Sequence, residues 1–158
     1  MKRTSLEDAS CPIARSLDTI GDWWSLLIVR DAIHGKKRFG EFQKSLGMAK
    51  NILATRLRKL VADGILELQP ASDGSAYQEY VPTEKGRDLF VILMALRQWG
   101  ERNLYAPGEL DTLYVDAERG KEIPALEVRA KDGRRLGPGD VLLKSLPSRP
   151  SRTQRARS

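Results

Sequence analysis

The sequence predicts a mainly α fold with a small β wing, and three observations carry that prediction. Apolar residues keep helical spacing in four consecutive segments between residues 12 and 63, each followed by a glycine stop. Two short strand-like runs then flank an Asp73-Gly74 turn. A long apolar periodic segment, Thr83 to Tyr105, follows directly.

Pro12 occupies a position that the first turn of a helix tolerates, and Ile13, Ser16, Leu17 and Ile20 continue the helical spacing to Gly21. Asp22 is placed to cap a second helix over Trp23 to Ile33, with Trp24, Leu27 and Ile28 facing inward and His34 over the last carbonyls before Gly35. Phe39 to Leu46 is a short third helix carrying Phe39, Phe42 and Leu46, ended by Gly47. The fourth, Ala49 to about Asp63, has two distinct faces. Leu53, Leu57, Leu60 and Val61 fall at i, i+4, i+7 and i+8, a stripe to bury, while Asn51, Thr55 and Arg58 fall at i, i+4 and i+7 on the opposite side.

After Gly64, Ile65 to Pro70 and Tyr77 to Pro82 are read as a hairpin. Thr83-Glu84-Lys85-Gly86 opens the long helix, whose Leu89, Phe90, Leu93, Leu96, Trp99 and Gly100 are expected to line one seam, with Trp24 and Trp99 in the core. This is the order of a winged helix-turn-helix domain over 11–106, preceded by an N-terminal arm, 1–10. Its long C-terminal helix exceeds what one such unit must bury, and is the expected dimerisation element. Past Pro107-Gly108 the runs Leu113 to Val115, Leu126 to Ala130, Leu136 and Val141 to Leu143 suggest a β-rich extension, 107–147. Residues 148–158 lack any large apolar side chain and are expected to be a disordered basic tail.

Composition narrows the function. At 158 residues and 41% apolar, the chain can bury one core. No apolar run approaches the roughly 18 residues of a membrane span, and the N-terminus, with Glu7 and Asp8, has no signal-peptide character, so a cytoplasmic chain without a membrane partner is expected. Cys11 is the single cysteine and His34 the single histidine, too few for a disulfide framework or a usual zinc site. No metal, cofactor or catalytic residue is expected; Asp22, Asp31 and Glu84 lack partners for acid/base work.

Charge is localised. Between His34 and Leu60 lie eight basic residues, Lys36, Lys37, Arg38, Lys44, Lys50, Arg56, Arg58 and Lys59, against one acid, Glu41, whereas the whole chain carries only +6. A basic stripe on a helix pair is the footprint of a surface that docks on phosphates, and double-stranded DNA is the first partner to expect. In the major groove Asn51 would pair an adenine edge, Thr55 would meet a thymine methyl and Arg58 would reach guanine or phosphate. Lys36, Lys37 and Arg38, ahead of the third helix, suit backbone anchoring, and Lys50 and Lys59 are further expected DNA-binding residues. Arg56 lies on the flank, either on phosphate or supporting the fold through a hydrogen-bonded pair. The alternative is a protein-interaction module whose basic stripe meets an acidic partner.

Several ordered motifs extend this reading. Cys11-Pro12-Ile13-Ala14-Arg15, Gly21-Asp22-Trp23-Trp24-Ser25-Leu26-Leu27, Arg38-Phe39-Gly40-Glu41-Phe42, Asn51 to Leu60, Asp63-Gly64-Ile65-Leu66, Thr83-Glu84-Lys85-Gly86 and Leu96-Arg97-Gln98-Trp99-Gly100 together resemble the HxlR-type transcriptional regulators, of the MarR-like superfamily, over residues 11 to 105. The resemblance implies a bacterial DNA-binding homodimer without catalytic activity, acting as repressor or activator on a palindromic operator. It also implies a candidate redox or electrophile sensor at Cys11, which stands at a helix N-terminus where the dipole favours thiolate. A small-molecule effector is a further expectation, with Trp23, Trp24, Trp99, Tyr77 and Tyr80 as possible framing for an aromatic pocket. One departure stands out: the wing, Gln69 to Val81, holds no Lys or Arg and carries Asp73 and Glu79, where many relatives are basic.

Overall fold

Helices α1 (Pro12–Ile20) and α2 (Trp23–Ile33) are joined by Gly21 and Asp22, and the Asp22 carboxylate caps α2 by accepting the Ser25 amide at 2.9 Å and its hydroxyl at 2.5 Å. His34 closes α2, its Nδ1 2.7 Å from the Arg30 carbonyl oxygen. Helices α3 (Phe39–Leu46) and α4 (Lys50–Ala62) follow, separated by a tight turn at Gly47. Gly47 has φ 63° while its amide donates to the Gln43 carbonyl at 2.9 Å, a left-handed cap that a side chain would strain.

Strands β1 (Leu66–Pro70) and β2 (Gln78–Pro82) pair antiparallel, with Leu66 opposite Pro82, Leu68 opposite Tyr80 and Pro70 opposite Gln78. The second strand starts one residue later than expected, and beyond it the Ala71 amide donates to the Tyr77 carbonyl at 3.0 Å where the hairpin enters its turn. On the other edge of β2, the Tyr80 amide donates to the Lys37 carbonyl at 2.8 Å, binding the α2–α3 connection to the wing. Thr83 then caps α5 (Glu84–Arg87) by accepting the Gly86 amide at 3.1 Å while donating to the Gly64 carbonyl at 2.6 Å. A Cβ on Gly86 would stand 2.1 Å from the Ile65 carbonyl oxygen, so this junction of wing and helix requires glycine by close approach. Helix α6 (Leu89–Leu104) completes this part of the fold.

The structure, a computed structural model, describes residues 5–144 and 146; the tail at 148–158 and the first residues of the N-terminal arm lie outside the described residues. The core joins α2, α3, α4 and β1 through Ile28, Val29, Phe42, Leu53, Leu57, Leu60, Ile65 and Leu66. Trp24 packs against it as expected.

Helix α6 departs from the sequence expectation of a single seam. Leu89 and Met94 are buried and Leu93 packs on the core, whereas Phe90, Ile92, Leu96 and Trp99 point outward, Trp99 being 53% exposed and therefore not a core residue. A helix apolar around most of its circumference does not show by periodicity which side meets the core.

The chain divides into two compact units between Leu113 and Tyr114, later than the expected boundary after residue 106. Arg97 of α6 donates to the Thr112 carbonyl at 2.7 Å and holds the intervening segment to the first unit. In the second unit the expected strands reduce, among the described residues, to isolated bridges Val115–Glu122 and Arg129–Arg135 around turns at Gly120 and Gly133. Val128, Leu142 and Leu143 are exposed, so among the described residues of this unit no buried face holds a continuous ladder. No helix among the described residues is long and apolar enough to cross a membrane.

Candidate nucleic-acid interface

Helix α4 is fixed in roll by Leu53, Leu57 and Leu60, each wholly buried. That roll turns Lys50, Asn51, Thr55 and Arg58 outward, all exposed. Thr55 donates its hydroxyl to the Asn51 carbonyl at 2.9 Å, and Arg58 makes only long hydrogen bonds, 3.3 Å to the Ala54 carbonyl and 3.4 Å to the Thr55 hydroxyl. Among the described residues neither Lys50 nor Arg58 enters an ion pair. Their charge is presented to solvent, next to two polar side chains able to hydrogen-bond base edges.

The remaining five predicted residues are held by carboxylates. Lys36 lies 3.8 Å from Asp31, a buried acid whose other oxygen takes Arg30 at 2.8 Å. Lys37 lies 3.6 Å from Glu79, and Arg38 lies 2.5 Å from Asp73 and 3.8 Å from Glu79. Arg56 meets Asp22, the cap of α2, in an ion pair at 3.4 Å. Lys59 pairs along its own helix with Asp63 at 2.5 Å. The nine basic and polar residues thus form an open set on α4 and an engaged set around it. Missed in the sequence was the part played by Asp73 and Glu79: their place in a wing without cations, after a Lys-Lys-Arg run, was the available signal.

The Arg38 pair is tied into the backbone on both sides. Glu41, at the third position of α3, accepts the amides of Lys37 at 2.7 Å and Arg38 at 2.8 Å, and these bonds hold its carboxyl below the ordinary carboxylate value. Asp73 accepts the Ser75 amide at 3.0 Å within the wing turn, and its contacts with Ser75, then with Arg38, hold its carboxyl far below the ordinary value. The Arg38 guanidinium also lies 5.6 Å from the centre of the Tyr77 ring. A groove of about 610 Å³ opens here between α3 and the wing, lined by Phe39, Lys44, Tyr77 and Tyr80 among others. The aromatic residues anticipated as one pocket do not gather: Trp23 and Trp24 pack edge to face at 6.0 Å, Trp99 stands outward on α6, and of the five only the two tyrosines line the groove.

Cys11 is the N-cap residue of α1, exposed, with no hydrogen bond from its side chain to the helix. Exposure at a helix N-terminus is the setting in which a thiol can react.

A three-helix body, a fourth helix with a buried leucine row and an open polar row, and a hairpin directly behind it define a winged helix-turn-helix protein. The model of the HxlR-like helix-turn-helix family matches residues 19–107, and the chain belongs to that family. It is 41% identical over 95 residues to the HTH-type transcriptional regulator Rv3095 of Mycobacterium tuberculosis, a match spanning 60% of each chain, so the chain spans about 60% of the length of that relative. It is 55% identical to PA1607, a protein assigned as a transcription factor, over 89% of this chain and 99% of that one, with a TM-score of 0.85. The oxidised redox regulator HypR is also similar, at 36% identity, over 61% of this chain and all of HypR, with a TM-score of 0.55. Rv3095 is named as a transcriptional regulator and PA1607 as a transcription factor.

Proposed function

We propose that this chain is a sequence-specific DNA-binding transcription regulator that acts as a homodimer on a palindromic operator. The observation that carries the reading is the open row of α4, Lys50, Asn51, Thr55 and Arg58, which a fully buried leucine row holds outward and which no carboxylate among the described residues neutralises. Asn51, Thr55 and Arg58 read base edges from the major groove, and Lys50 anchors on phosphate. Lys36, Lys37, Arg38, Arg56 and Lys59 surround that row with positive charge tempered by their acids. The outward side of α6, with Ile13 and Leu17 of α1, supplies the seam between subunits, because a monomer rarely leaves so much apolar surface in water. A two-fold dimer then presents two α4 helices about 10 base pairs apart, one turn of DNA.

Cys11 provides a thiol through which an oxidant or electrophile releases the operator, a role supported by its exposure and by the similarity to a protein named as a redox regulator.

The experiment is selection of bound genomic fragments at near-physiological salt, followed by affinity measurements on the best site. An inverted repeat is expected. Asn51→Ala and Arg58→Ala are each expected to lower the preference for that site over random DNA by ~1–3 kcal/mol, on the order of 5- to 150-fold. Enrichment of no sequence would transfer the basic stripe to an acidic protein partner, and unchanged preference in both variants would remove α4 as the reading element. On the selected site, oxidant release that persists in Cys11→Ser would exclude the thiol.

A further inference from the structure

The wing of this protein, Gln69 to Val81, carries no cation of its own, yet its two acids hold two of the three cations that precede α3, Lys37 and Arg38. These pairs differ in one respect that matters for an approaching polyanion. Glu79 is 7% exposed at its side chain, receives the Ser72 hydroxyl at 3.0 Å and faces Lys37, whereas Asp73 is 53% exposed, stands in the wing turn and takes the Arg38 guanidinium. Removing Lys37 would leave a buried carboxylate without its nearer cation, which is strongly unfavourable. Removing Arg38 leaves Asp73 in water, with the Ser75 amide still donating to it, and takes from Glu79 its contact at 3.8 Å while Lys37 at 3.6 Å and the Ser72 hydroxyl stay; exposed pairs of the Arg38–Asp73 kind contribute little stability.

We infer that Arg38 is a phosphate ligand held in reserve: in the DNA complex its guanidinium leaves Asp73 for a backbone phosphate, while Lys37 stays with Glu79. The inference rests on the DNA-binding reading above and adds the partner exchange at the wing. An arginine fork matches phosphate oxygens as well as it matches a carboxylate, and DNA offers in addition the release of condensed counterions. The Tyr77 ring below Arg38 and the bond from Tyr80 to the Lys37 carbonyl keep the α3 cap and the wing together, so the guanidinium changes partner without the wing having to move. The free protein shows a paired, nearly neutral wing tip to any distant polyanion. A phosphate gains Arg38 only by direct approach, so Asp73 selects against loose, non-specific association.

The test uses the full chain, a labelled random-sequence duplex and the same duplex at a series of salt concentrations. Asp73→Asn keeps the oxygen that accepts the Ser75 amide and is expected to fold like the wild type, with thermal unfolding as the check. Asp73→Ser, which also offers a turn-forming oxygen, must reproduce its behaviour. Both variants are expected to bind the random duplex several-fold more tightly, because Arg38 no longer has to be detached from a carboxylate. In wild type, Arg38→Ala is expected to weaken binding and to flatten the dependence of log affinity on log salt by about one unit, the change that follows when one fewer phosphate is neutralised. In the Arg38→Ala background the gain from Asp73→Asn should vanish. A gain that survives there would mean that Asp73 merely repels DNA, and a salt slope indifferent to Arg38→Ala would mean that Arg38 stays on the wing; either overturns the exchange. If neither wild type nor variants bind the duplex, it is the DNA-binding reading itself that fails.

Discussion

Leu96→Glu in α6 is expected to yield a folded monomer that has lost nearly all operator binding. Leu96 is 49% exposed, and with Ile92 and Trp99 it forms an outward row at i, i+4 and i+7, while Leu93 and Met94 turn another side of the helix to the core. A charge on that row therefore meets water in the monomer and an apolar partner only in the dimer, where burying it without a counter-charge is strongly unfavourable. Loss of the dimer removes the advantage of a tethered second half-site, about 10²–10⁴-fold in affinity. Sedimentation should show the change of mass, circular dichroism an unchanged helix content, and gel shift the absence of the complex. A variant that still sediments as a dimer would place the seam elsewhere.

Leu57→Ala acts from the other side of the reading helix. Leu57 is wholly buried in the cluster that includes Leu53 and Leu60. Truncating such a leucine costs about 2–5 kcal/mol, from forfeited transfer energy and from the cavity left behind. Against a total of roughly 5–15 kcal/mol for a typical domain, this is a large fraction of stability. The same residue sets the roll of α4, so the variant is expected to lose operator preference even where enough folded protein remains to bind DNA non-specifically. Leu57→Met, which nearly conserves volume, should stay within about 1.5 kcal/mol of wild type and keep that preference. Denaturant unfolding decides the first point; a Leu57→Ala protein as stable as wild type would show that the leucine row does not hold the helix.

Much of this arrangement is legible before any coordinates. The two faces of α4 follow from spacing alone, since Leu53, Leu57 and Leu60 recur with the helical period and Asn51, Thr55 and Arg58 recur half a turn away. The hairpin is announced by Asp73-Gly74 and the start of α5 by Thr83, because capping and turn chemistry depend on neighbours within a few residues. Asp22 capping α2 and His34 closing it are local in the same sense. The extension after Leu113 is less legible: its alternating apolar residues look like strands, but pairing needs a face to bury, and the described residues there form only isolated bridges.

What the sequence determined by itself is therefore the family, the order of the elements, and which side of α4 is polar, all properties of residues close together along the chain or of ordered motifs. What only the tertiary structure decided is which cations are engaged: Arg56 on Asp22, Lys37 on Glu79 and Arg38 on Asp73 join positions on separate elements. It also decided which side of α6 faces outward. Coulomb attraction and burial depend on distance in space, and a periodic pattern records only the geometry of one element, not the neighbour against which that element comes to rest.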